Sequence, residues 1–543
     1  FDIFEHKLTT EEREAMEFLY ASMSSADMSD YTGEYFLDNV RMSLRAREEL
    51  AWGEVVPEDL FRHFVLPVRV NNERMDEFRM VYYDSLRMRV EGLSLHDAAL
   101  EVNHWCHEKA TYVPTDRRTS SPMATMLTGE GRCGEESTFT VSALRAVGIP
   151  ARQVYTPRWA HTDSNHAWVE AWIDGEWYFM GACEPEPELN VAWFNQPATR
   201  AMLMHTRVTG DYSGPEDAIQ KTNCFTEINV IDNYAPVRHS VVHVVDADGK
   251  AVEGATVEFQ IFNYGEFTTV VTLPTDEKGE VSLHMGLGDI FIWASHEGRF
   301  GFGKLSGDSI TVKLDKRDGD SFTFEEDMMP PVPGEIPVNL TDDQVAANKV
   351  RLSNEDAIRM AYTSTFMTAE KCKEYTSREQ ALLIEAMGNW RDVKAFIDSK
   401  SGAERDRALA MLEVLAPKDL HDTKLAVLED ALSAVEPAQL TDTYVNYILN
   451  PRIDFEFLQP YRTVIRQTLG SELGATPSAT QIIEWVKTNI KTADEYNPIQ
   501  ILSTPAGVLR LRRADSLSRE IFFVAACRAF GIASRMSSMS GMP

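Results

Sequence analysis

Three scarcities frame this chain of 543 residues. It contains no run of about 18 apolar residues, so nothing in it reads as a membrane span. Its six cysteines (Cys106, Cys133, Cys183, Cys224, Cys372 and Cys527) form no CxxC pair and are too sparse for a disulfide framework. Isolated thiols, one of them reactive, are the expectation. Basic residues are also few: 53 Lys and Arg against 84 Asp and Glu leave a formal net charge of −31. That field repels nucleic acid and anionic lipid, so sequence-independent binding to either is excluded and the acidity reads as a solubility device. What is present is ordinary for folded protein, 43% hydrophobic and 25% charged residues. At roughly 100–200 residues per domain, the length predicts three to five domains.

The strongest chemical signal runs from Gly129 to Arg152 and continues at Asn165 to Trp172. Residues 111–131 are loop-like, with Pro114, Pro122, Gly129 and Gly131. Phe139, Val141, Leu144 and Val147 then form one apolar stripe, and Gly148 supplies a helix stop. Cys133 therefore falls at or just before a helix N-terminus, where partial positive charge favours a thiolate. Glu135 and Glu136 suit that helix end too, although either would oppose a thiolate it faced. Residues 151–155 and 166–173 read as strands. The second alternates, with Ala167, Val169, Ala171 and Ile173 on one face and His166, Trp168, Glu170 and Trp172 on the other. Asp174-Gly175 is a hairpin signal, and 177–180 should be the return strand. A helix on an antiparallel sheet results, with Cys133 as candidate nucleophile and His166 as candidate base expected to face each other across the junction.

Cys133 before an apolar helix, the Gly148-Ile149-Pro150-Ala151-Arg152 exit, the His166-Ala167-Trp168-Val169-Glu170 strand and a following Trp-containing strand together resemble the transglutaminase-like superfamily. The resemblance covers about 100–235 and implies a papain-like α+β core. It further implies that Cys133 attacks an amide or peptide carbonyl and that His166 takes its proton. The family's third residue is an Asp at the end of the return strand, where this sequence has Gly181. Glu184, three residues on, is the candidate replacement orienter, with Asn165 and Asp163 as other polar candidates. Trp159, Trp168, Trp172, Trp177 and Trp193 form an aromatic set from which Trp168 and Trp159 are the candidate substrate contacts, most of the others reading as core.

The expected domains are a helical N-terminal region over 1–95, the transglutaminase-like core over 96–235, and an all-β sandwich over 236–316. An acidic Pro-rich linker over 317–345 leads to a helical region over 346–543. Short alternating strands with turn signals at Asp248-Gly249, Lys278-Gly279 and Glu297-Gly298 give the sandwich its rhythm. Residues 246–256 resemble the carboxypeptidase regulatory-like, Ig-like modules of exported bacterial proteins, and a spacer role is preferred for them. The C-terminal region carries a repeat. Gly531-Ile532-Ala533-Ser534-Arg535 echoes Gly148 to Arg152, and Thr504-Pro505, Arg452 and Arg462 echo Ser121-Pro122, Arg69 and Arg79, every pair 383 positions apart. In that register Cys133 meets Ser516, so a partial, degenerate second core is expected. Because no equivalent of the His166 strand precedes Pro543, a chain continuing further is expected as well.

Two functions follow. One is a cysteine hydrolase or acyltransferase acting on peptide or amide bonds through a thioester, with a peptide, protein or glycopeptide substrate. The other is a degenerate enzyme fold that binds or scaffolds peptide or glycan ligands. No cofactor and no metal is expected. Zinc held by Cys133, His161, His166 or the His104–His107 group is a remote alternative, as no spacing matches a zinc pattern. The bacterial resemblance implies an exported, periplasmic or cell-surface setting, and a start at Phe1 fits a removed export signal and an artificial start equally.

Overall fold

The computed structural model describes residues 2–537. The expected continuation past Pro543 lies outside them. Helices fill residues 10–107, the first closed by a reciprocal capping box between Thr9 and Glu12 as the Thr9-Thr10-Glu11-Glu12 pattern predicts. Their apolar stripes converge on the Cys133–Ala146 helix, where Phe78, Leu86, Val102 and Trp105 share a core with Phe139, Val141 and Leu144. Gly148 ends that turn at φ 71°, a left-handed position that a side chain would strain. Among the described residues no helix is long and apolar enough to cross a membrane.

Strands β1 (Thr111–Tyr112) and β2 (Glu130–Gly131) pair in parallel just ahead of that helix. Behind it stands a six-stranded sheet of β3 (Ala151–Thr156), β4 (His166–Ile173), β5 (Glu176–Met180), β6 (His205–Thr209), β7 (Asp217–Lys221) and β8 (Phe225–Asn229), in the order β5-β4-β3-β6-β8-β7. The period of two divides β4: Val169, Ala171 and Ile173 join the helix core, while Trp168 joins Trp159, Phe179, Phe194 and Tyr234 on the other side.

Beneath the second face Arg152 is 1% exposed. Its Nε donates to Glu170 Oε2 at 2.6 Å and Nη1 to Glu216 Oε1 at 2.5 Å, and its guanidinium lies 3.8 Å from the Trp177 ring centre. Removing one partner of a buried pair leaves the other charge uncompensated. Arg152→Met is accordingly expected to lower unfolding stability by about 3–5 kcal/mol, read as a shifted denaturation midpoint in urea.

The sandwich comprises β9 (Val237–Val245), β10 (Thr256–Asn263), β11 (Glu266–Pro274), β12 (Glu280–Gly286), β13 (Ile290–His296), β14 (Arg299–Leu305), β15 (Ser309–Lys313) and β16 (Lys316–Arg317). One sheet runs β11-β10-β13-β14-β16 and the other β12-β9-β15. Sequence patterning misses the two-residue β16 and also β14, which Gly301 and Gly303 interrupt. A Cβ at Gly301 would stand 2.1 Å from the Lys313 carbonyl oxygen, so close packing of the two sheets requires the glycine. The Pro-rich stretch after β16 is exposed over most of its length but not a free spacer. Met329 N donates to Asp289 Oδ2 at 2.9 Å and Gly334 N to Thr199 Oγ1 at 2.9 Å, pinning it to sandwich and core.

The helix Asp342–Thr363 then docks on the Leu95–His107 helix. His104 Nδ1 and His107 Nδ1 each lie 2.8 Å from one carboxylate, Glu355. Cys106 points away into the core, so these histidines hold the two regions together.

Contacts in the C-terminal region recur in the 383-residue register. Arg79 donates to the carbonyls of Val65 and Leu66, and Arg462 to those of Ile448 and Leu449. Arg145 Nε reaches the Ala151 carbonyl at 3.0 Å, and Arg528 Nε that of Ser534 at 3.0 Å. Left-handed Gly129 is matched by Arg512 at φ 59°. The β1–β2 pair is matched by parallel β17 (Lys491–Thr492) and β18 (Arg513–Ala514), and the Cys133–Ala146 helix by Ser516–Ala529. The contact between the regions is reciprocal. On Ser25–Asp30, Asp27 holds Arg69 of its own region and Asp30 accepts from Thr504 of the other. On Pro417–Asp422, Asp419 holds Arg452 and Asp422 accepts from Arg118 across the boundary.

Candidate active site

Cys133 opens its helix and so leaves its N–H without an intrahelical acceptor. It lines a cleft of about 990 Å³ together with Tyr112, Arg132, Gly134, Gln153, Asn165 and Ala167. Of the six cysteines it alone is not buried. Burial raises its pKa above the ordinary thiol value, a shift opposed by the Ala167 N–H, the Arg132 charge and the Gly134 N–H, which favour the thiolate.

Its neighbours fix the helix start. Gln153 Nε2 donates to Ser137 Oγ at 2.7 Å and to the Gly134 carbonyl at 3.3 Å. Glu135 turns away from the sulfur: it accepts from Arg132 N at 3.0 Å, Thr115 Oγ1 at 2.8 Å, Ser120 N at 2.9 Å and Lys418 Nζ at 2.7 Å. Burial pushes its pKa up, but Lys418 and these donors outweigh that and hold it below the usual carboxylate range. Glu136 is buried, and burial, with Cys183 and Glu184 adding to it, raises its pKa well above the usual range. Its charge adds to the rise in the Cys133 pKa. Gln153, Glu135 as a loop clamp and Lys418 carry no sequence motif, and only the fold brings them here.

The expected apposition of Cys133 and His166 is not what the structure shows. His166 lies on the Trp168 side of β4, its ring centre 5.7 Å from Trp168, 4.8 Å from Trp193 and 5.0 Å from Phe194. The Cys133 helix takes the opposite face, so the alternation that the sequence displays separates the two side chains. On that strand the sulfur meets the backbone N–H of Ala167, the residue after the histidine. His166 Nε2 is buried without a hydrogen-bond partner, and burial alone lowers its pKa to about 4.

Glu184 occupies the space left by Gly181. A Cβ at residue 181 would lie 2.9 Å from Glu184 Oε2. That oxygen accepts from Trp193 Nε1 at 3.0 Å rather than from His166. Burial raises the Glu184 pKa despite this bond. Trp168 and Trp159 do not reach the cleft: they are 0% and 2% exposed, stacked with ring centres 6.5 Å apart, and Trp168 Nε1 donates to Tyr234 Oη at 2.9 Å. They are core, because a bulky inward strand position between two aromatic layers is filled before it can serve a ligand. Trp193 is the exposed aromatic beside His166, at 59%. Asp163 accepts from the Tyr264 N–H of the sandwich at 2.7 Å, and Asn165 donates to Tyr155 Oη at 3.2 Å.

An unfolded histidine titrates near 6.5, and this one near 4 when folded. Between those values the unfolded chain binds the extra proton, so the His166 contribution is complete above pH 6.5 and is lost as pH falls towards 4. The whole effect is up to about 3 kcal/mol at 1.36 kcal/mol per pKa unit. His166→Phe should therefore lose less stability than the parent protein between pH 6.5 and 4, measured as the difference between the two urea-midpoint profiles.

Next to the Cys133 cleft, and sharing Asn72, Arg117, Thr119 and Gln500 with it, is a second one that contains Ser516. The Ser516 hydroxyl donates to Asp494 Oδ2 at 2.8 Å.

The geometry is thus a thiol at the start of a helix packed on an antiparallel sheet. Residues 87–182 match the family model of the transglutaminase-like superfamily. A solved chain described as a candidate cysteine protease from Cytophaga hutchinsonii is 21% identical over 20% of this chain and 40% of its own length, with a TM-score of 0.18. This chain thus spans less than half of that protein, and the likeness is too slight to support an argument. Among curated proteins no match was found.

Proposed function

We propose that the chain is a cysteine-dependent hydrolase or acyltransferase acting on amide bonds, with Cys133 as nucleophile. The observation that carries this reading is that Cys133, alone of six cysteines, opens into a large cleft at a helix N-terminus. His166 serves as base after its side chain turns out of the aromatic pocket towards the sulfur that already touches Ala167. The thiol proton passes to the imidazole, sulfur bonds to the carbonyl carbon, and the C–N bond breaks as the amine leaves with that proton. Water or a second amine then resolves the thioester.

A second reading, a binding protein on a degenerate fold, is favoured by the unpartnered His166 Nε2 and by the engagement of Glu184 with Trp193. In either case the recurring contacts of the C-terminal region support its reading as a second, non-catalytic copy of the core, with Ser516 in the Cys133 place. The two-sheet sandwich is consistent with an Ig-like module.

Iodoacetamide alkylation, followed by peptide mass analysis, separates the readings. The hydrolase reading expects alkylation of Cys133 at pH 7 to slow at least fivefold in His166→Ala, because the imidazole is the base that makes the thiolate. A rate indifferent to His166→Ala would sink it.

A further inference from the structure

We propose that this cleft takes its substrate as an extended, acidic polypeptide segment added as a strand to the free edge of β11. The chemistry rests on the hydrolase reading, but the binding geometry does not. Among the described residues, strand β11 is outermost in its sheet and pairs only with β10. Its Thr269, Val270, Val271 and Thr272 line the cleft that holds Cys133. A second free edge enters the same space, since Ile219 and Gln220 belong to β7, outermost in the core sheet and paired only with β8.

Free edges offer unpaired N–H and C=O groups to any extended chain, and proteins ordinarily block them with lysine, proline or strong twist. Residues 268–273 read Thr-Thr-Val-Val-Thr-Leu, β-branched and uncharged, with no proline before Pro274. Their one irregularity is a bulge at Val270, between the Phe259–Val271 and Gln260–Thr269 pairs, and bulges recur beside active sites because they re-aim the strand. An edge so unprotected is a liability on an open surface and a template inside a cleft. At about 990 Å³ the space exceeds that of most small-ligand sites and suits a segment several residues long.

Charge sets the composition of the guest. Arg117, Arg132 and Arg207 line the cleft, and none has a carboxylate within ion-pair distance among the described residues. Arg132 is held instead by the carbonyls of Asp116 and Arg117 and by the Thr119 hydroxyl, neutral acceptors, while its charge also acts on the buried Glu135. The one acidic side chain in the lining, Glu227, is held by His205 at 2.7 Å. A positive cleft in a protein of net charge −31 selects acidic segments and repels basic ones.

The test is fluorescence anisotropy with the full chain carrying Cys133→Ala, so that binding is read without turnover. The probes are a fluorescein-labelled octapeptide of alternating glutamate and valine, its lysine–valine counterpart, and two forms of the first N-methylated on one or the other alternate set of amides. The glutamate peptide should bind saturably and the lysine peptide at least tenfold more weakly. One N-methylated form should lose at least tenfold and the other little, because alternate amides of an added strand face β11. Thr272→Glu, on the exposed side of β11, should weaken the glutamate peptide at least fivefold with an unchanged circular dichroism spectrum. Absent binding, equal loss from both methylated sets, or an equally tight lysine peptide overturns strand addition. None of these outcomes touches the Cys133 alkylation result, so the two readings fail separately.

Discussion

Cys133→Ala should abolish hydrolysis of a glutamate-containing peptide p-nitroanilide, lowering kcat/KM by at least about 10³, as expected when the nucleophile of a covalent mechanism is removed. Cys133→Ser should be nearly as inactive. The helix N-terminus and the Ala167 N–H assist a sulfur anion, but a hydroxyl of far higher pKa gains little from them without an imidazole in hydrogen-bond contact. Release of p-nitroaniline at pH 7 and pH 9 by the parent protein and both variants checks the expectation. The parent rate should rise with pH, since burial has raised the thiol pKa. Parent-level turnover in Cys133→Ala would assign the chemistry elsewhere.

The helix start at Cys133, the hairpin at Asp174-Gly175 and most sandwich strands are legible in the sequence because each depends on local periodicity and turn chemistry. The 383-residue recurrence is legible for a different reason: Arg69, Arg79, Arg452 and Arg462 are largely buried arginines that donate to carbonyls of neighbouring loops, a role few other side chains fill. What escapes the sequence is non-local. Lys418 clamps Glu135 across 283 positions, and the β11 edge meets the Cys133 cleft only through the docking of two sheets. The alternation of β4 is itself legible and already sets His166 with Trp168, opposite Ala167. The expectation of a Cys133–His166 contact comes from setting the helix start against the strand start without asking which face of β4 carries His166; the family pattern adds an acid at residue 181 to orient the ring.

That missing acid yields the sharpest test. The Val169–Met180 register carries residue 181 towards a place opposite Trp168, on the face that holds His166. Gly181 does not have a positive φ, so an aspartate fits its backbone. The obstacle is Glu184, whose flexible carboxylate lies where the new side chain would start. Gly181→Asp combined with Glu184→Ala removes that obstacle and offers His166 Nε2 the acceptor it lacks. A buried carboxylate beside the ring favours the imidazolium, so the His166 pKa should rise from about 4 towards neutrality. The expected gain in p-nitroanilide hydrolysis is about 10²-fold, less than the roughly 10⁴-fold that a fully evolved orienting Asp is worth in serine proteases. Histidine NMR titration reads the first effect independently of any substrate. A raised pKa with an unchanged rate would make His166 a positioned but idle residue and favour the binding reading. A pKa still near 4 would mean that the aromatic pocket of Trp168, Trp193 and Phe194, not the absent acid, sets the ring.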